Sequence, residues 1–174
     1  MKQQSQKLAL CGVLSALAVG VLLLGGIIPA ATFCAPLLSM LALLPILAEY
    51  GPRSAGAAYA AVAILALLLV PDKETALVYV FFGWYPLLRP RIAALRFPPA
   101  RLICRLAVCN GAIFLLYGLV VRLLGMGSVT EELGSGWFTL LLLILGNVVF
   151  LLLDRVLANM TRLWQKKLRR RFFR

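Results

Sequence analysis

The chain has 174 residues, of which 63% are hydrophobic, with a formal net charge of +12 and no histidine. Soluble domains keep about half their residues apolar, so this composition, with a mean hydropathy of +0.97, excludes an ordinary soluble fold. The missing histidine removes the commonest general base and the commonest metal ligand, and the charge is distributed as topology signals rather than as a nucleic-acid footprint.

The first element is Lys7 to Ile28, in which the residues after Lys7 carry no charge. At about 1.5 Å per residue that stretch covers roughly 30 Å, the thickness of a bilayer core. Lys2 and Lys7 precede it and no cation follows until Arg53, which places the N-terminus in the cytoplasm. Gly12, Ala16 and Gly20 recur every fourth residue and leave a shallow groove on one side. A signal peptide is the competing reading of a basic start and an apolar run, but such runs extend only about 7 to 15 residues.

A second span is expected from about Leu37 to Tyr50, kinked at Pro45 or begun earlier, near Thr32. Glu49-Tyr50-Gly51-Pro52-Arg53 reads as a tight inner turn. The third span, Ser54 to Val70, opens with small residues that favour close packing. After an outer loop at 71–74, Thr75 to Leu88 forms the weakest span, interrupted by Gly83 and Pro86 and open to reading as a broken helix. Arg89, Arg91, Arg96, Arg101 and Arg105 then make the strongest internal cytoplasmic signal.

The fifth span runs from about Leu102 to Leu124 and the sixth from Trp137 to about Leu157, separated by an outer loop carrying Glu131 and Glu132. The expected architecture is therefore all-α: a compact bundle of about six transmembrane helices over residues 1–161, with a basic cytoplasmic tail at 162–174 and both termini inside. Six crossings place every Lys/Arg cluster on the inner side, leaving only Lys73 and Arg122 outward. Anionic headgroups at the cytoplasmic face are the expected partners of that charge, without nucleic acid. The four cysteines, Cys11, Cys34, Cys104 and Cys109, show no metal or disulfide spacing and read as packing residues.

Chemistry is sparse. No GxxxxGK[ST] loop occurs, so ATP is not hydrolysed by that route, and no nucleophile has a partner base. An enzyme is not expected, nor a cofactor. Glu49 and Asp154 are read as pairing with Arg53, Arg155 or local helix ends. Asn147 lies two turns before Asp154, about 10.5 Å along the helix, and seeks a partner across the bundle or on a substrate. Thr32, Phe33, Tyr79, Phe114, Tyr117, Arg122 and Trp137 gather toward the outer half. Aromatic faces with a few polar tips suit an organic ligand, while interface anchoring explains Tyr79 and Trp137 as well.

The basic start before a small-residue first helix, six short spans, the EYGPRSAGAAYA turn and the basic tail together resemble the substrate-binding S components of energy-coupling factor (ECF) transporters. The resemblance implies capture of a vitamin or similar micronutrient at the outer side of a bacterial inner membrane. It further implies docking on a transmembrane coupling subunit driven by two ATPases. Gly12, Ala16 and Gly20 would form the docking face, although the spacing is GxxxA and AxxxG rather than the family's AxxxA. Thr32, Phe33, Tyr79, Tyr117, Arg122, Trp137 and Asn147 would line the pocket. A different class, a membrane scaffold in envelope assembly, fits the same scarcity of polar groups. An enclosed outer pocket favours capture, and a solid bundle with an open small-residue groove favours the scaffold.

Overall fold

A computed structural model describes residues 2–28, 31–32, 34–124 and 136–164, without the side chains of 2–4, 117, 119–124, 136, 138–139 and 142. Its elements are α1 (Lys2–Ile27), α2 (Cys34–Leu69), α3 (Lys73–Phe82), α4 (Tyr85–Ala93), α5 (Pro98–Leu124) and α6 (Gly136–Leu163), with no strand among the described residues. Among the described residues, four helical stretches are long and apolar enough to cross a membrane: Ser5–Ile27, Cys34–Leu69, Pro98–Leu116 and Leu143–Leu163. The chain is thus an all-α protein of membrane character.

Side-chain size follows the same logic. Many large aliphatic residues such as Leu8, Leu17, Leu24, Leu68 and Ile144 face outward, and Ala18, Ala55, Ala58 and Ala66 are buried together with larger residues such as Leu22, Met40, Leu43 and Leu157. In water this arrangement would waste the hydrophobic effect. In lipid, where burial of a leucine brings no advantage over the solvent, small residues at helix contacts let backbones approach and gain dispersion.

The molecule divides into two compact units, residues 1–90 with 156–174, and residues 91–155. In the first, α1 and the opening arm of α2 run antiparallel. Ser39 Oγ donates to Ala18 O at 2.9 Å, and Lys7 Nζ stands 5.7 Å from the centre of the Tyr50 ring. A Cβ placed on Gly25 would collide with Ala35 Cβ, and one on Gly26 would lie 2.8 Å from Val70 Cγ1. Ala35 and Val70 flank opposite ends of α2, whose 36 residues would stretch about 54 Å if straight. Since both meet the same corner of α1, α2 doubles back on itself.

The reversal occurs at Gly51, with φ 79° and ψ 179° inside an otherwise helical run. That backbone region is essentially reserved for glycine, and Pro52 follows with its φ preset for a new first turn. The predicted inner turn at residues 49–53 is therefore a helical hairpin, with arms of about 25 and 27 Å. The second arm inserts Ala55, Ala58, Val62 and Ala66 along one buried face.

The weakest predicted span is interrupted as expected. α3 ends at Phe82, Gly83 N donates to Tyr79 O at 2.7 Å, and α4 starts two residues later. At this break the carbonyls of α3 would lack helical partners. Tyr59 Oη donates to Val80 O at 2.5 Å and Trp84 Nε1 to Phe81 O at 2.6 Å, so both are satisfied.

In the second unit α5 and α6 are antiparallel, with three contacts in register: Arg105 with Asp154, Asn110 with Asn147, and Ile113 beside Gly146. Cys109, Ala112, Phe150 and Leu153 are buried.

Candidate functional site

The corner between α2 and α3 is built from three polar side chains. Lys73 Nζ donates to Leu67 O and Val70 O, each at 3.0 Å, and so closes the last carbonyls of α2. Asp72 is the N-cap of α3, accepting from Glu74 N at 3.0 Å and Thr75 N at 3.3 Å. The Thr75 hydroxyl donates to Asp72 Oδ2 at 2.6 Å, with Thr32 O at 3.5 Å. Thr32, a predicted pocket residue, thus borders this corner through its backbone.

One turn beyond Thr75, Tyr79 is fully buried, its ring centre 5.8 Å from that of Tyr59. Tyr79 therefore belongs to the interior and not to a headgroup belt. Its hydroxyl has no hydrogen-bond partner among the described residues. An unmet buried hydroxyl of this kind costs about 1 to 3 kcal/mol.

In the second unit two polar contacts join α5 to α6. Asn110 Nδ2 donates to Asn147 Oδ1 at 3.3 Å, Asn147 Nδ2 donates to Asn110 Oδ1 at 3.1 Å, and Asn147 Nδ2 also reaches Leu143 O at 2.8 Å. The bond across helices, one of the two readings of Asn147, is present. Asp154, only 3% exposed, has Arg105 Nη1 3.0 Å from its Oδ2 rather than pairing with the adjacent Arg155. Arg105 also keeps a buried Nε without a partner among the described residues. Glu49, expected to pair with Arg53, accepts from Trp164 Nε1 at 3.2 Å, a contact spanning 115 positions.

The small-residue stripe of α1 lies apart from these contacts. Gly12 and Ala16 are exposed and Gly20 is partly so. A Cβ on Gly12 or Gly20 would meet nothing within 4 Å, while Ala18, Val19 and Leu22 of the same helix are buried. Among the described residues of the first unit, no close packing takes up Gly12 or Gly20.

Of the remaining predicted pocket residues, Trp137 is 80% exposed at the start of α6, and Phe114 is 77% exposed on α5. Phe33 lies outside the described residues, as do the side chains of Tyr117 and Arg122 and the loop bearing Glu131 and Glu132. Thr32 and Tyr79 fall in the first unit, and Asn147 and Trp137 in the second. Sequence reasoning passed over Thr75 and Asp72, although an Asp three positions before a Thr at a helix start signals a cap. No group of three or more metal-binding side chains occurs among the described residues. No family model, curated protein or solved structure matches the chain.

Proposed function

We propose that the chain is a substrate-capture subunit of an ECF-type micronutrient transporter, resident in a bacterial inner membrane and without enzymatic activity of its own. In this reading it crosses the bilayer six times, the arms of α2 counting as two crossings and α3 with α4 as one interrupted crossing. Both termini then lie inside, and the basic segments face anionic headgroups. A small molecule enters from the outer side, and α1 docks on a coupling subunit served by two ATPases.

The observation that carries this reading is the open stripe of Gly12, Ala16 and Gly20 on a helix whose other face is buried. Small residues at fourfold spacing permit helix axes to approach closely, and a docking face has to be left open by the subunit that owns it. The buried, unanswered hydroxyl of Tyr79 supports ligand capture, since an acceptor supplied by a ligand would remove its cost.

The test is recovery of partners from native membrane in mild detergent. The unsubstituted chain should retain a membrane subunit and two ATPases, and Ala16→Leu should lose them while keeping its melting temperature. Undiminished recovery with Ala16→Leu would remove the stripe from the docking role. A second reading, an envelope-assembly scaffold, draws on the mutual pairing of Asn110 with Asn147, which leaves less polarity for a substrate. Recovery of envelope-assembly proteins in place of the ATPases would decide for it.

A further inference from the structure

Between α4 and α5 the chain turns through residues 94–97, and the turn is held by its own bonds. Ala94 N donates to Arg91 O and Leu95 N to Ile92 O, both at 3.2 Å, and Arg101 N donates to Phe97 O at 3.2 Å. Arg101 Nε reaches back to Leu95 O at 2.6 Å, closing the corner from the first turn of α5. Pro98 and Pro99 begin that helix where the missing N–H groups cost nothing.

What this corner displays is unusual for a loop. Leu95 is 38% and Phe97 69% exposed, with Arg91 and Arg96 exposed beside them. The sequence has no acidic residue between Glu74 and Glu131, and within this unit the described carboxylate, Asp154, faces Arg105. The corner also immediately precedes the candidate span Pro98–Leu116, and it is the ends of a spanning helix that meet the headgroup layer.

We propose that this corner is an anchor for anionic phospholipid. Leu95 and Phe97 enter the acyl boundary, and Arg91, Arg96 and the Nη groups of Arg101 hold headgroup phosphates. Guanidinium groups bind phosphate through charge-assisted, paired hydrogen bonds, and an apolar tip set among cations is the pattern of interfacial insertion. A free phosphate would use the arginines but give no role to Phe97, which is why the lipid is the occupant assigned. The inference needs the bilayer and not the transport reading, so either can fail alone.

The full chain carrying Phe97→Trp, reconstituted in phosphatidylcholine vesicles, tests it. Bromine-labelled phosphatidylglycerol or bromine-labelled phosphatidylcholine is added at equal mole fraction, and quenching is read as the difference from the unsubstituted chain. Phosphatidylglycerol should quench more, the preference should fall with added salt, and combined Arg91→Gln and Arg96→Gln should reduce it about fivefold or more. The same order is expected with Leu95→Trp, which serves if Phe97→Trp fails to fold. Equal quenching by the two lipids, quenching by neither, a preference indifferent to the arginine substitutions, or one abolished by inorganic phosphate at constant ionic strength would each overturn the proposal.

Discussion

Ala35 and Val70 stand at opposite ends of α2 in sequence, yet both press on one corner of α1, the first against Gly25 and the second against Gly26. The first unit is organised by that coincidence, because it requires the chain to reverse at Gly51. Gly51→Ala adds a Cβ that meets nothing within 4 Å, so its whole cost is backbone strain. The expected loss is about 1 to 3 kcal/mol, read as a lowered melting temperature in detergent. An unchanged melting temperature would mean that the hairpin does not depend on this φ.

Gly12→Ala and Gly20→Ala provide the opposite expectation. Each adds a methyl group into open space and removes the conformational freedom of a glycine within a helix, worth about 0.5 to 1 kcal/mol. Both variants should melt slightly higher than the parent when purified alone. A clear destabilisation would show that the stripe is packed against part of the chain.

Arg105 and Asp154 tie α5 to α6 at one end. Arg105→Leu removes the cation 3.0 Å from a carboxylate that is only 3% exposed, and the variant should be less stable, by at most the roughly 3 to 5 kcal/mol that breaking a buried pair costs. Adding Asp154→Leu should restore most of that loss, as apolar replacement of a buried pair is often close to neutral. A double variant as unstable as the single one would place the effect elsewhere than the pair.

The amide pair of Asn110 and Asn147 is weaker. Hydrogen bonds between membrane helices average about 0.6 kcal/mol and reach about 1.7, and the coupling energy from Asn110→Ala, Asn147→Ala and the double variant should fall in that range. A coupling indistinguishable from zero would mean that each amide finds an equal partner when the other is removed.

Tyr79→Phe deletes a buried hydroxyl that has no partner among the described residues. In ligand-free protein the change should leave stability equal or raise it by about 1 kcal/mol, and any bound acceptor ligand should lose affinity. A destabilised variant would reveal that the hydroxyl is already answered.

The legible parts of the fold were those written in local chemistry. Gly51-Pro52 announces a reversal because few other residues adopt that backbone, and Gly83 before Pro86 announces the break between α3 and α4. Partner choice was not legible. Asp154 has Arg155 next to it in sequence but meets Arg105, because adjacent residues on a helix point to different faces. Arg105 was counted with the cytoplasmic arginines, yet it lies about 10 Å into α5. Tyr79 fits a belt or a core equally by residue type, and only the packing of three helices in the first unit assigns it to the core.

The contact between Trp164 and Glu49 gives the first unit an order of assembly. The hairpin of α2 leaves the ribosome early, but the indole that donates to its turn follows 115 residues later. At about 5 to 20 residues per second that interval is roughly 6 to 23 s. Throughout it the turn of the hairpin lacks the indole that donates to Glu49, and the whole second unit is synthesised in the meantime. A chain cut at residue 155 would therefore hold every residue of the second unit and would leave the first one without the indole of Trp164.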